Sequence, residues 1–193
     1  MHKTPKENMI ATRYQDRELF AGGVFAAANH VASFCKQVDI ITCIGDSETH
    51  DDLIRQSLKP NVGLRAFTRV GAPTTLKRRF VDPSYMRKLF EVYFMNDEPL
   101  TPDVQSEVDR AIVDRAAGYD VVIVADFGHG LIAPSSIEAL TSKARFLAVN
   151  TQSNSANLGY NLITKYGRAD YVCICLLYTS CRLQNIYHPV SRG

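Results

Sequence analysis

An aspartate follows a run of apolar residues, in a position where α/β proteins often place functional groups. Asp126 comes after the run Val121 to Val124 and begins the loop DFGHG. In open α/β sheets, ligands bind outside the carboxyl ends of the strands, and a carboxylate there can orient a hydroxyl group or a metal-bound water. His129, in the same loop, could donate to a phosphate when its ring is protonated. The alternative is that Asp126 only caps the turn that follows it.

A pair of glycines, Gly22 and Gly23, stands before a helical pattern. The free N–H groups at a helix start can meet an anion or a hydroxyl-rich ligand, and glycine lets such a ligand approach the backbone closely. Asn29 follows within two helical turns and could direct its amide to the same side. Alternatively, the glycines only form a turn and Asn29 is a hydrated surface residue.

Two further polar groups come from predicted strands. In TTLKRRFVD, the strand period places Lys77 and Arg79 on one face. That basic face could hold a substrate phosphate through charge-assisted hydrogen bonds, or it could simply be solvated. Asn150 ends the predicted strand FLAVN, which makes it a second polar group at a carboxyl end, unless it belongs to an ordinary polar loop.

The elements that would position these residues follow from hydrophobic spacing. Apolar residues at helical intervals predict a helix from Gly22 to Lys36, then VDIITCIG as a strand and DSETHDDLIRQSL as a short helix. Thr101 and Pro102 predict the start of a helix that runs to about Ala117. From there to Asn150 the order is helix, strand, helix, strand, which predicts a doubly wound α/β fold.

Two further sequence features add detail to this fold prediction. The uninterrupted apolar run before Asp126 predicts a strand that is covered on both faces, as in parallel sheets. The runs LRAFTRV, TTLKRRFVD and KLFEVYFM are rich in strand-forming residues and are separated by turn residues. They predict a small antiparallel sheet at the edge of the main fold.

The composition of the chain indicates which kinds of partner it is expected to bind. The chain has 193 residues, 46% of them hydrophobic, which is enough for one domain or most of one. The 22 Lys and Arg nearly balance the 20 Asp and Glu, so no global field marks a nucleic-acid or anionic-membrane binder, and a small molecule is the expected partner. Because no segment approaches the ~20 apolar residues that span a bilayer, we expect a soluble, cytoplasmic protein.

In order and spacing, AGGVFAAANHVASF, ITCIGD, PTTLKRRFVD and VVIVADFGHGLI resemble the ribokinase-like carbohydrate kinases of the PfkB family. Within the family, the chain is similar to the kinase domain of ADP-heptose synthesis proteins, which phosphorylates D-glycero-D-manno-heptose 7-phosphate. The resemblance covers residues 20 to 174. It implies an α/β sandwich with a small β lid and transfer of a phosphoryl group from ATP, with Mg²⁺, to a sugar hydroxyl.

The resemblance also implies roles for individual residues. The sugar would lie against Gly22, Gly23 and Asn29, with Asp126 at the floor of the cleft. A phosphate already on the sugar would meet the basic strand of Lys77 and Arg79 and, with a pH-dependent charge, His129. Asn150 would face the nucleotide phosphates and the metal, although no residue is assigned as a metal ligand. A homodimer through the lid and a fused nucleotidyltransferase domain are further arrangements that the resemblance implies.

The chain departs from the family pattern. The family signature Gly-Ala-Gly-Asp, which carries the anion hole and the catalytic base, has no counterpart, since no G-x-G-D occurs in the sequence. We therefore expect an incomplete fold and an inactive chain: a polar leader or remnant at 1–19, a partial kinase domain at 20–174, and a non-native tail at 175–193. The letters CLLYTS, which begin that tail, can be encoded by a transposon-end sequencing adapter. The alternative function is a noncatalytic α/β module that binds a sugar phosphate or a nucleotide.

Overall fold

A computed structural model describes residues 2–3, 10–11, 13–153 and 161–176 of the chain. Strands and helices alternate along most of this length, and a 3₁₀ turn at Ile163–Lys165 comes before the last strand. The strands are β1 (His2–Lys3), β2 (Ile10–Ala11), β3 (Val38–Ser47), β4 (Val62–Pro73), β5 (Leu76–Asp82), β6 (Arg87–Phe94), β7 (Val122–Asp126), β8 (Leu147–Ser153) and β9 (Tyr171–Leu176). The helices are α1 (Val24–Val31), α2 (Asp51–Ser57), α3 (Pro102–Ala116) and α4 (Pro134–Lys143).

Parallel pairing dominates the larger strands. β3 pairs with β4 in parallel, and β8 lies between β7 and β9 in a second parallel sheet. β5 and β6 form a separate antiparallel hairpin, and β1 pairs with β2. The predicted α/β class, with its parallel strands and its small β lid, is confirmed.

The helix α3 forms where the sequence predicts it. Thr101 occupies the N-cap position, its carbonyl accepts the N–H of Gln105, and Pro102 takes the first helical position, where its missing N–H costs nothing. The apolar face of the helix packs against α4 and the strands, because its buried residues recur at helical intervals. Those residues are Val108, Ala111, Ile112 and Ala116.

One core joins the two parallel sheets. Phe67 of β4 belongs to the same buried cluster as Val124 of β7 and Val149 of β8, and Ile41 of β3 packs against that cluster. The two parallel sheets therefore share a single layer of side chains beneath α3 and α4, although they are not hydrogen-bonded to each other in the described part of the chain.

The expectation that β7 is covered on both faces is wrong for the described structure. Val124 is 5% exposed and faces the core, whereas its neighbour Ile123 is 53% exposed. Ile123 and Tyr171 both pair with Ala148, so they lie on the same face of the sheet. Tyr171 is also exposed. Successive side chains of a strand point to opposite faces, so one face of this sheet is packed and the other is open.

The segment LRAFTRV is not part of the antiparallel sheet, which corrects the second expectation. It lies in β4, where Leu64 pairs with Ile40 and Arg69 pairs with Gly45 in a parallel register. Phe67, the buried residue of this run, holds the strand to the main core. The lid consists of β5 and β6 alone.

The lid hairpin begins at Leu76 and has two different faces. The basic face carries Lys77 and Arg79, and the other face carries Phe80, whose ring stacks on Phe90 with centroids 4.4 Å apart. The predicted alternation of TTLKRRFVD is therefore confirmed. On the apolar face, the Arg78 guanidinium also lies over a ring of β6.

The domain boundaries expected after residues 19 and 174 stay predictions. Residues 13–20 are exposed and have no regular structure, and β9 continues through Leu176, two residues beyond the predicted end of the kinase segment. The rest of the predicted tail, 177–193, lies outside the described residues. Over the described residues, the helices are too short or too polar to cross a lipid bilayer.

Candidate functional site

Asp126 is the last residue of β7 and is 3% exposed. Its Oδ2 atom lies 2.6 Å from Nζ of Lys165 and accepts a hydrogen bond from the hydroxyl of Tyr166 at 2.7 Å. Its Oδ1 atom accepts the backbone N–H of Gly128 at 3.0 Å. The carboxylate therefore caps the turn, as one reading of the sequence expected, and is also held by a cation and a phenol.

The cation is itself held in place. Nζ of Lys165 donates to Oδ1 of Asn161 at 2.7 Å, and the amide of Asn161 donates to the backbone carbonyl of Asp126 at 2.9 Å. Burial and the nearby carboxylate raise the pKa of the Tyr166 hydroxyl, so the phenol keeps its proton and remains a donor. These contacts fix Oδ2, while Oδ1 keeps a lone pair beyond its bond to the turn.

Sequence reasoning missed Lys165, Tyr166 and Asn161. They belong to residues 161–170 before β9, where the chain forms a 3₁₀ turn at Ile163–Lys165 rather than the helix that usually connects parallel strands. The letters NLITKY give no helical or strand period that would place them beside Asp126. No signal in the local sequence could have found them.

The loop after β7 is closed against the segment that leads out of the lid. Gly130 has φ of +74°, and a Cβ atom there would lie 2.2 Å from the carbonyl oxygen of Glu98. Arg69 joins the same two segments, since its guanidinium donates to the carbonyls of Glu98 at 2.5 Å and His129 at 3.2 Å. The loop therefore has one well-defined path.

Lys77 and His129, both predicted to meet a phosphate, are brought together. Nζ of Lys77 lies 3.0 Å from Nε2 of His129, and the same ammonium lies over the ring of Tyr93. Burial lowers the pKa of Lys77, as does the neighbouring Arg79, and burial followed by Lys77 lowers the pKa of His129. The lid and the Asp126 loop thus meet through a nitrogen-to-nitrogen contact that favours a neutral imidazole.

The glycine pair also reaches this loop. Gly23 has φ of +57°, and the ring of Phe127 lies 3.9 Å from the position that a Cβ atom on Gly23 would take. Around Gly22 there is open space. The start of α1 therefore lies next to the loop of Asp126.

Two predicted sugar or phosphate ligands make other contacts. The Asn29 amide donates to the carbonyl of Ser57 at 2.7 Å and accepts the N–H of Lys59 at 2.9 Å, so it ties α1 to the end of α2. Arg79 donates to Glu91 across the hairpin at 2.6 Å. Roles in substrate binding stay predictions for both residues.

Asn150 does not end its strand, which corrects the sequence interpretation. β8 continues to Ser153 because its polar residues pair with β9, where Thr151 meets Ile174. Asn150 pairs with Ala125, and Thr151 pairs with Asp126. Since neighbouring strands in register share their faces, the side chains of Asn150 and Asp126 point to opposite sides of the sheet.

The described residues contain no group of three His, Cys, Asp or Glu side chains placed to hold a metal ion.

Three solved structures are similar to the chain over about two thirds of its length. A point mutant of phosphofructokinase-2 from Escherichia coli has a TM-score of 0.48 and 14% identity, over 70% of this chain and 44% of that one. Ribokinase from Giardia lamblia has a TM-score of 0.47 and 14% identity, over 70% and 43% of the two chains. A carbohydrate kinase from Agrobacterium tumefaciens has a TM-score of 0.41 and 16% identity, over 67% and 41%.

No protein-family model matches the chain. Among curated proteins, it is 26% identical over 149 residues to the bifunctional protein HldE of Hyphomonas neptunium, which is 76% of this chain and 30% of that protein. It is 24% identical over 128 residues to the bifunctional protein HldE of Trichlorobacter lovleyi, over 66% of this chain and 26% of that protein. The chain thus spans less than a third of the curated relatives that it matches. The chain is therefore similar in sequence to part of these bifunctional proteins, at 24% to 26% identity.

Proposed function

We propose that the chain carries the sugar-binding part of a carbohydrate kinase, which phosphorylates a hydroxyl of a sugar or a sugar phosphate with ATP. The observation that carries this proposal is the position of Asp126. It is a buried carboxylate at the carboxyl end of a parallel strand, held by Lys165 and Tyr166, with the lid residue Lys77 above its loop. In open α/β sheets this is where ligands bind.

The contacts suggest what each group would do. Oδ1 of Asp126 would accept a sugar hydroxyl, because Oδ2 already has two donors. The open space at Gly22 would admit the sugar ring beside the backbone. A phosphate on the sugar would bind Lys77, whose ammonium then replaces its contact with His129 by a charge-assisted bond to the anion.

The proposed contact with the nucleotide involves a single residue. Asn150 is the residue that the resemblance implies, and its side chain lies on the face of the sheet opposite to Asp126. Phosphoryl transfer depends on positioning and electrostatic stabilisation, and the sequence has no Gly-x-Gly-Asp to supply them. We therefore assign no catalytic base, and we keep Mg²⁺ only as the counterion that ATP carries.

The substrate that we propose is a heptose 7-phosphate, and the intact protein would pair this kinase with a nucleotidyltransferase domain. The sugar is the one that the resemblance of the sequence implies, and the support for a second domain is the match to proteins named as bifunctional. A homodimer through the lid is the oligomeric state that we propose, because the apolar face of the hairpin leaves Phe90, Val92 and Phe94 more than a third exposed.

The test is a calorimetric titration of the purified chain with D-glycero-D-manno-heptose 7-phosphate and, separately, with the free heptose. We expect the phosphate ester to bind more tightly, and Lys77→Met to lower its affinity about tenfold or more while leaving that of the free sugar unchanged. Lys143→Met, at the exposed end of α4, is the matched control. Absence of binding by both sugars would remove the support for a sugar kinase.

A second measurement separates the two functional classes. With ATP, Mg²⁺ and the heptose phosphate present, we expect the chain to bind sugar but to transfer almost no phosphoryl group. The noncatalytic alternative predicts the same for every longer product of the gene, whereas the kinase proposal predicts turnover once a Gly-Ala-Gly-Asp segment is present. Efficient turnover by the 193-residue chain itself would contradict our account of the missing groups.

A further inference from the structure

We propose that the contact between Lys77 and His129 is a pH-dependent latch that holds the two-stranded lid against the loop of Asp126. The contact joins β5 to the loop after β7, with 3.0 Å between the two nitrogen atoms. Within the described structure, the lid shares no strand pairing with the parallel sheets. A contact between side chains can therefore decide how firmly the lid is held.

The geometry requires a particular protonation state. Two nitrogen atoms 3.0 Å apart form a hydrogen bond only when one donates and the other accepts. An ammonium has three donors and no acceptor, so His129 must offer the lone pair of Nε2 and carry its proton on Nδ1. A second proton on the ring removes that lone pair and places two cations in contact, which breaks the latch.

The groups around His129 come from several elements. Lys77 of β5 and Arg69 of β4 disfavour a charged ring, whereas Asp97, before α3, and Asp126 favour one. Burial is the main reason that the pKa of His129 is lowered, and the two cations add to it. The surroundings therefore support the neutral ring that the closed geometry requires.

The closed state leaves one buried polar atom of His129 without a hydrogen bond. Nδ1 of His129 is buried and has no hydrogen-bond partner in the described structure. In the tautomer that accepts from Lys77, this atom carries the proton, and a buried donor without an acceptor destabilises the state that contains it. The latch is therefore weak enough for protonation of the ring to release it.

The sign of the pH dependence follows from linkage. Because the closed state binds the ring proton less tightly than a free histidine does, acid favours the open state. The latch holds at neutral pH and weakens as the pH falls below the ordinary histidine value of 6.5. Between that value and the lowered pKa of the closed state, the opening equilibrium rises by up to about tenfold per pH unit.

The latch stands on these contacts and does not require the proposed kinase activity. An effect of the latch on sugar phosphate binding does rest on that activity, because Lys77 is also the proposed phosphate ligand. If the sugar phosphate does not bind, the latch still predicts the lid motion, so the two proposals fail separately.

The experiment is amide hydrogen exchange of residues 74–79 and 127–131 at pH 7.5 and at pH 5.5, corrected for the intrinsic chemical rate. In the wild-type chain we expect protection of both segments to fall about tenfold in acid, with β3 unchanged. In His129→Gln, which keeps an acceptor for Lys77 but does not titrate, we expect protection that is independent of pH. His30→Gln, at an exposed histidine of α1, is the matched control and should behave as wild type.

A second readout covers the case in which His129→Gln does not fold. Nuclear magnetic resonance of the wild-type imidazole of His129 should show it titrating below the ordinary histidine value of 6.5, and Lys77→Met should raise its pKa. Lid protection that does not change with pH in the wild-type chain would overturn the proposal. So would an equal change in His129→Gln, or a His129 pKa that is the same with and without Lys77.

Discussion

At the scale of single residues, the environment of Asp126 combines a structural and a chemical role. A carboxylate that is 3% exposed would be very costly without partners. Lys165 supplies a countercharge and Tyr166 a neutral donor. This arrangement fixes one oxygen and leaves the other toward the turn, which is a suitable geometry for orienting a single hydroxyl.

The first prediction concerns the ion pair. Lys165→Met leaves the buried carboxylate without its cation, so we expect the free energy of unfolding to fall by about 2–4 kcal/mol, measured by urea denaturation. Lys143→Met, which removes an exposed lysine, should change it by less than about 0.5 kcal/mol. Asp126→Asn combined with Lys165→Met should cost less than the sum of the single changes. Additive costs would show that the pair is not coupled.

Sequence reasoning found Asp126 but not its partners, and the reason is physical. An aspartate after an apolar strand is visible as a pattern of neighbours in the chain. Lys165 and Tyr166 reach it from about 40 residues away, through a connection without regular period. Contacts of this kind depend on the fold of the intervening strands, which local spacing does not encode.

At the scale of elements, a comparison of two glycines with nearly the same φ angle can show how tightly the loop after β7 is held. Gly130 and Gly71 have φ of +74° and +73°, but a Cβ atom on Gly130 would meet the Glu98 carbonyl at 2.2 Å, whereas the space at Gly71 is open for 4 Å. Gly71→Ala carries only the backbone cost, about 1 kcal/mol. We expect Gly130→Ala to cost about 3 kcal/mol or more, because Glu98 is also held by Arg69.

Thermal and chemical denaturation of the two alanine variants provide the measurement. Each variant is the control for the other, since the substitution and the dihedral angle are the same. Equal losses of stability would mean that the close approach at Gly130 is relieved without cost, and the loop would then be less constrained than the structure indicates.

The contacts of Asp39, at the amino end of β3, predict that the folded chain becomes less stable in acid. Asp39 accepts hydrogen bonds from Tyr119, Gln37 and Arg115, and the bond from Tyr119 is the main reason that the Asp39 pKa lies below its usual 3.8. A lowered pKa means that the stabilisation is present above pH 3.8 and is lost as the pH falls through the value in the folded state.

Asp39→Asn removes that titration. We expect the wild-type chain to lose more unfolding free energy than this variant when the pH is lowered from about 5 to about 2.5, as followed by urea denaturation at each pH. Asp114→Asn, an exposed acid on α3, should keep the wild-type slope. If Asp39→Asn also keeps it, the contacts of Asp39 do not stabilise the folded chain.

Elements with a strong local signal were predicted well, and those with an ambiguous signal were not. α3 has its proline, its cap position and a helical stripe, and the structure places it within one residue of the prediction. β4 was assigned to the lid because LRAFTRV resembles the neighbouring lid strands in composition. Its parallel partner β3 lies before it across α2, and strand pairing is a long-range choice that composition does not determine.

At the scale of the whole molecule, the described residues pack against the sheet of β7, β8 and β9 on one side only. α3 and α4 cover Val124, Leu147 and Val149, whereas Ile123 and Tyr171 are more than half exposed on the other side. The sequence VVIVAD cannot distinguish the two faces, because a continuous apolar run has no alternation to read. Only the position of the helices shows which residues are buried.

This asymmetry gives the last prediction, which compares adjacent residues of one strand. Val124→Thr places a hydroxyl in the core, so we expect it to lower the free energy of unfolding by about 1–3 kcal/mol. Ile123→Thr changes a side chain that is 53% exposed, so we expect a loss below about 1 kcal/mol together with weaker binding of a hydrophobic dye such as ANS, since the open apolar face becomes smaller. Urea denaturation and dye fluorescence measure the two effects. If Ile123→Thr were as costly as Val124→Thr, the second face would be covered in solution, and the molecule would bury more than its described helices account for.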